Sequence, residues 1–336
     1  MKSVNNALAN SLGFKVLLLV LAVCLSFIAA ISIGSASISA SDAYQCLLGE
    51  CSSRMVETVI WQIRVPRVML GFIVGAGLAC AGAVLQNTTR NPLADPYLFG
   101  IVAGAGLGAT IANTFFAQQI AFMLPAMAFV GAAMAIMLVL FLARFLFRVE
   151  LILLAGVAVA FMLGSMSQFL LYVGEPLASN RIMFWLMGSL AGAEMEQVKL
   201  LLPLLMVLLG LVLLVHRQMD AMLLDEDSAL TLGVNVPRLR MLLLLGCALM
   251  TAAIVAYCGG IGFVGLMVPH MVRFLFGVTS FKLLIGCFFL GGIFLMWVDV
   301  LARQLLSGQE LPIGIITSAI GSIFFVLLML RSKATR

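Results

Sequence analysis

"RNPLADPYLFGIVAGAGLGA", residues 90 to 109, interrupts a chain that is otherwise almost continuously apolar. Arg90, Asn91, two prolines and Asp95 are followed by four glycines in the nine residues from Gly100. Asn91-Pro92 and Asp95-Pro96 each push the residue before proline out of the α region. One helix therefore ends near Arg90 and the next begins around Pro96, with irregular backbone between. At membrane depth such backbone survives only when buried in protein or lining a cavity. A plain turn at a membrane face also needs a break, but has no use for a glycine-rich helix straight after it.

Working outward, 63% of the 336 residues are hydrophobic and 10% are charged, against roughly a quarter charged in soluble domains. A membrane helix needs roughly 20 apolar residues, and such stretches recur along the whole chain. Ten spans are predicted, near 14–33, 64–86, 97–113, 120–143, 150–173, 195–215, 238–258, 261–276, 283–305 and 312–330. The eighth is short and interrupted by Pro269. Nothing shows the short alternating segments of a membrane β-barrel. The chain reads as an all-α polytopic membrane protein, a single domain over 1–336. Its longest polar stretches, 34–63 and 216–237, leave no room for a nucleotide-binding fold, and no phosphate-binding GxxxxGK[ST] occurs. Lys2 and Lys15 before an apolar run, with "SIGSASIS" after it, imitate a signal peptide; the run is long and reads as the first helix.

Lys and Arg near span ends set orientation. With the N-terminus inside, thirteen fall on the inner side: Lys2, Lys15, Arg90, Arg144, Arg148, Arg217, Arg238, Arg240, Arg273, Lys282, Arg331, Lys333 and Arg336. Six fall outside: Arg54, Arg64, Arg67, Arg181, Lys199 and Arg303. Both termini are expected in the cytoplasm. Of the seven cysteines, Cys24, Cys80, Cys247, Cys258 and Cys287 read as small apolar packers. Cys46 and Cys51, in "CLLGEC", fall in the first outer loop, where a disulfide and free thiols are both open.

An echo joins "RVPRVMLGFIVGAGLACAGAV" in the second span to "NVPRLRMLLLLGCALMTAAIV" in the seventh. The two run in opposite senses in this topology, as inverted repeats do. In "GGIGFVGLMVPHMVRFLFG", 259 to 277, glycines and Pro269 break an apolar run, and His270 reads as a brace rather than a ligand. Asp299 and Arg303 sit i, i+4 and can pair. In "MDAMLLDEDSALTLGVNVPRLR", 219 to 240, Asp225 is a plausible N-cap for a short helix that Gly233 ends. Asp225, Glu226 and Asp227 suit its positive N-terminal end. The acidic character favours a protein partner over a membrane surface.

These pieces resemble the permease subunits of the FecCD family of ABC importers, which serve ferric siderophores, haem and cobalamin. The matching stretches are "IRVPRVMLGFIVGAGLACAGAVLQNTTRNPLADPYLFGIVAGAG", "DEDSALTLGVNVPRLR", "GGIGFVGLMVPHMVR" and "DVLARQLLSGQELPIGIITSAIGSIFF". They occur in family order over most of the chain. The resemblance implies a BtuC-like type II importer permease fold of about ten transmembrane helices. It also implies an inner-membrane homodimer, with a paralogous permease as the alternative partner, two cytoplasmic ATPase subunits and a periplasmic substrate-binding protein. ATP and Mg would sit on the partner ATPase, with no cofactor, metal or catalytic residue on this chain and no nucleic acid.

By the same resemblance, Asn91, Pro92 and Leu93 would form an inner gate, and Arg64, Arg67 and Arg303 would meet acidic residues of the binding protein. The residues alone also admit snorkelling or a local Asp299–Arg303 pair. The loop 219–236 would be the coupling segment that seats in the ATPase, carried by Asp225, Glu226, Asp227, Ala229, Leu230 and Gly233. Asp299, Pro269 and His270 would be structural. The expected cargo is a ferric siderophore, with haem or cobalamin as alternatives. An ion-coupled transporter would need carboxylates near the midplane, whereas Glu150, Glu175, Glu194 and Asp299 lie near span ends. No HExxH or GxSxG supports an intramembrane enzyme.

Overall fold

The computed structural model describes residues 12–34, 38–143, 145, 149–224, 226–306 and 309–334. Its helices are α1 (Leu12–Ser32), α2 (Ala40–Leu47), α3 (Arg54–Thr58), α4 (Val65–Thr89), α5 (Ile101–Phe115), α6 (Ile120–Ala143), α7 (Val149–Val173), α8 (Pro176–Leu186), α9 (Met195–Leu214), α10 (His216–Met222), α11 (Glu226–Thr231), α12 (Val236–Cys258), α13 (Val264–Phe276), α14 (Ser280–Gln304) and α15 (Ile313–Ala334). Among the described residues there is no strand. Each of the ten predicted spans falls on a helix. Among the described residues eight helices are long and apolar enough to cross a membrane, while α5 and α13 are apolar but only 15 and 13 residues long.

The second span begins earlier than expected. A π-helical turn, Val59–Arg64, joins α3 to α4, so helix runs from Arg54 to Thr89. α4 is the axis of the fold, packed by α1, α9, α12, α13 and α14. Close approach demands glycine: a Cβ on Gly75 would collide with the Gly291 carbonyl of α14, and one on Gly104 with the Gly131 carbonyl of α6. Small residues are what let backbones meet in lipid, where no hydrophobic force drives helices together.

The inverted echo is structural. α4 and α12 each open on Val-Pro-Arg with proline in the first turn. They pack antiparallel: Gly77 meets Met250 and Ile254, and the Cys247 thiol reaches the Ala81 carbonyl at 3.5 Å. Each is followed by non-α backbone, 90–100 and 259–263, and then by a short helix. The short helices cross over, α13 packing on α4 and α5 on α12. The two linkers meet inside the bundle, where the Ile261 amide donates to the Tyr97 hydroxyl at 3.0 Å. The described residues hold two non-glycine residues with positive φ, Arg90 (51°) and Phe263 (68°), one in each linker.

α8 has no counterpart among the predicted spans. Glu175 precedes Pro176 in its first turn, and 187–189 then form backbone bonds to Cys258, Ile313 and Gly314. Cys46 and Cys51 form a disulfide across the end of α2.

Candidate functional site

α4 and α14 run side by side, so each end of the pair gathers side chains from distant sequence. At one end, Arg67 grips Asp299 through Nε and Nη2 at 2.9 Å and reaches Glu310 at 2.9 Å. Arg303 holds Asp299 at 3.1 Å. The remaining donors go to the C-terminus of α1. Arg303 bonds the carbonyls of Ile33 (2.9 Å) and Ala30 (3.2 Å), and Arg64 those of Ile31 (2.8 Å) and Ser32 (3.2 Å). Those carbonyls are the orphan acceptors that every helix leaves in its last turn, and cations there also complement the helix dipole. Trp297 fixes α1 further, donating to Ser26 Oγ at 3.1 Å. Arg64, Arg67 and Arg303 are 3%, 6% and 6% exposed and Asp299 1%. The three arginines proposed for docking thus form, with Asp299, a buried clamp around the end of α1. Their donors are spent inside the chain.

The opposite end is built from amides. Pro269 lacks an N–H, so in α13 the Gly265 carbonyl four residues back loses its helical donor. Gln86 supplies one: its Nε2 donates to that carbonyl at 3.0 Å. Arg273 donates to Gln86 Oε1 and to Asn87 Oδ1, the latter at 3.0 Å. Asn87 donates to Ser280 Oγ at 3.1 Å, and the Ser280 amide, at the start of α14, donates to Asp220 of α10 at 2.7 Å. Arg90 Nε donates to the Met222 carbonyl at 2.7 Å. The gate-like loop is thereby tied twice to the α10–α11 segment, once through Arg90 and once through the Asn87–Ser280–Asp220 chain.

The loop itself is specified locally. Arg90 takes the left-handed conformation, its amide bonding Asn87 O while Asn91 N bonds Gln86 O, a Schellman end to α4. Asn91 Oδ1 accepts from the Leu93 amide at 2.9 Å. Asn91 is half-buried, while Pro92 and Leu93 are exposed at the tip. Asp95 caps the next turn, accepting from Tyr97 N at 2.7 Å, and is buried. Burial pushes its carboxyl up to about 6, against the opposing pull of that bond.

In the coupling-like segment the chain turns after α11 at Gly233 (φ 79°), with Gly233 N on Leu230 O and Val234 N on Ala229 O. Ala229 is buried, while Leu230 and Leu232 stand exposed. Asp225 and the side chains of Glu226 and Asp227 lie outside the described residues. His270 sits on α13 with its ring 5.9 Å from that of Phe324 on α15. Among the described residues no group of three or more His, Cys, Asp and Glu is placed to hold a metal ion.

One polar feature lies outside the expected site residues and is marked in the sequence by "GSMSQ", 164–168. Ser167 is buried and shares a 2.9 Å hydrogen bond with Thr110 of α5. Ser165 and Gln168, on α7, instead face outward and line an open cavity of about 280 Å³ with Gly164. Exposed polar groups in mid-span are expensive against lipid.

A family model described as the FecCD transport family matches residues 18–331. The Fe(3+)-citrate import system permease protein YfmE of Bacillus subtilis is 38% identical over 315 residues, covering 93% of this chain and 94% of that protein. The cobalamin import system permease protein BtuC of Halobacterium salinarum is 41% identical over 282 residues, 83% of this chain and 75% of that protein. A solved structure described as an inward-facing conformation of a putative metal-chelate type ABC transporter superposes with a TM-score of 0.81 at 28% identity, covering 94% of this chain and 99% of its own. The chain belongs to the FecCD transport family and is a multi-pass permease of an ABC importer.

Proposed function

We propose that this permease carries a bulky iron chelate of the ferric-siderophore class across a bacterial inner membrane. A periplasmic binding protein delivers the cargo, and a separate ATPase pair hydrolyses ATP. The observation that carries this reading is the match to an iron–citrate permease along nearly the whole length of both chains, supported by the metal-chelate transporter fold. The 41% identity to a cobalamin permease favours a corrinoid as the second reading. The arginine end faces the periplasm and the amide end the cytoplasm, following the Lys and Arg distribution.

Ser165 and Gln168 support a second permease copy, because a water-filled path between two α7 faces would solvate them. Leu93 at the loop tip closes the cytoplasmic end of that path. The exposed Leu230 and Leu232 seat in the ATPase, and movement of 219–236 reaches the gate through Arg90–Met222 and Asp220–Ser280–Asn87. The binding protein docks on the face braced by the buried arginine clamp, with exposed Arg54 as the cation in reach. The test is uptake into proteoliposomes holding the permease with its co-purified ATPase and binding protein, offered ferric citrate, a ferric hydroxamate or cobalamin. Saturable uptake of an iron chelate alone is the expected result; uptake of cobalamin alone would establish the second reading.

A further inference from the structure

α6 and α9 both lean on α12 and stand apart from one another along its length. The floor of the gap is one stripe of α12, and two of its residues are the small Ala253 and Ala256. Phe122 and Phe129 of α6 form one wall and Leu200 and Leu204 of α9 the other, leaving an apolar groove of about 500 Å³, within the roughly 300–1,000 Å³ of ligand sites. Toward the arginine end it continues into a second space of about 320 Å³, sharing Pro125, Ala256 and Tyr257. There the lining turns polar, with Arg181 and Trp185 of α8 and Gln197 of α9.

Arg181 differs from the arginines of the bundle. Arg64, Arg67, Arg273 and Arg303 are all bonded within the chain. Arg181 is exposed and, among the described residues, makes no ion pair or hydrogen bond. Its guanidinium offers the fork that suits a phosphate, and Trp185 and Tyr257 beside it are the amphipathic rings favoured at membrane interfaces. We propose that the groove is a phospholipid site, with an acyl chain along Ala253 and Ala256 and the headgroup phosphate on Arg181. An empty groove would leave its walls without contact partners, and the bilayer supplies a molecule with both required ends.

The site is tested on the full chain in mild detergent by native mass spectrometry. The protein is titrated with phosphatidylglycerol and, separately, with diacylglycerol of the same chains, which lacks the phosphate. The parent is expected to retain phosphatidylglycerol about tenfold better, the worth of one charge-assisted contact at a half-exposed site. Arg181→Ala removes that preference, while Arg181→Lys keeps part of it. Leu249→Trp, at an exposed residue of the groove lining, narrows the groove, weakens both lipids and leaves melting temperature and oligomeric state near the parent's. Equal retention of the two lipids by the parent, or a preference that survives Arg181→Ala, overturns the assignment. It is also overturned if inorganic phosphate displaces nothing bound in the groove yet protects Arg181 from modification, which marks an anion site alone. Loss of binding-protein affinity in Arg181→Ala with lipid retention unchanged assigns Arg181 to docking and likewise overturns it.

Discussion

The two ends of the α4–α14 pair are held by opposite chemistry. At the arginine end three guanidinium groups, one fully buried carboxylate and four helix-terminal carbonyls leave hardly a donor unspent. At the other end two arginines, two amides, a hydroxyl and a capping aspartate join α4, α10, α13 and α14 through hydrogen bonds. A buried charge cannot leave its partner without a large cost, so the first end is built to stay shut. The bonds of the second end, several with one ionised partner, are each worth about 1–3 kcal/mol net, and none of them is a buried ion pair. Under the proposed function one end of the helices stays fixed while the other follows the ATPase, and the bonding pattern supports the arginine end as the fixed one.

The comparison is broken most severely at Asp299. Asp299→Ala leaves Arg67 and Arg303 facing each other, and a loss of about 3–5 kcal/mol is expected, read as a large drop in melting temperature in detergent. Next is Asp95, in the linker beside the amide end. Its folded pKa of about 6 lies above the ordinary carboxylate value. The protonated form is therefore favoured in the folded state, and that stabilisation is complete below about pH 4 and lost as pH rises through 6. Asp95→Asn keeps the cap and removes the titration. Its melting temperature should exceed the parent's at pH 8, by at most about 3 kcal/mol of stability, and converge with it near pH 4.

Arg273→Ala frees Gln86 and Asn87 and should cost about 1–3 kcal/mol, with assembly intact and uptake impaired. Smallest is Glu310→Gln. Glu310 is the partly exposed member of the arginine end, and such pairs are worth about 0–1 kcal/mol. A thermal scan giving Glu310→Gln a loss comparable to Asp299→Ala would dissolve the distinction between a buried clamp and its rim.

Much of this was legible in the chain because lipid is a strict solvent. Ten apolar runs became ten helices, and Pro92, Pro96, Gly259 and Gly260 marked the two irregular linkers. The Val-Pro-Arg echo anticipated two units of opposite sense, but not that their short helices pack crosswise. The inward bonding of the arginines was not legible. "RVPR" and "DVLAR" read the same whether the side chains face a partner or turn inward, and their acceptors, the carbonyls of residues 30–33, carry no side-chain signature. The Gln86 bond to Gly265 follows from Pro269 only once α4 and α13 are known to touch. The π turn at 59–64 has no compositional mark, and α8, at 11 residues, is too short for a hydropathy signal. Ser165 and Gln168 stand in the sequence inside an apolar span, where nothing marks the face they take.

The central claim is that the amide end transmits the movement of 219–236 to the gate loop. ATP hydrolysis and cargo uptake should be measured together in proteoliposomes for Arg273→Ala and Arg90→Ala, beside a coupling-segment variant, Leu230→Asp. The account predicts that Leu230→Asp loses the ATPase. The two arginine variants should hold it and hydrolyse ATP near the parent rate, while uptake falls by about tenfold or more. Uptake and hydrolysis that stay at parent levels, or that fall in proportion, would contradict it.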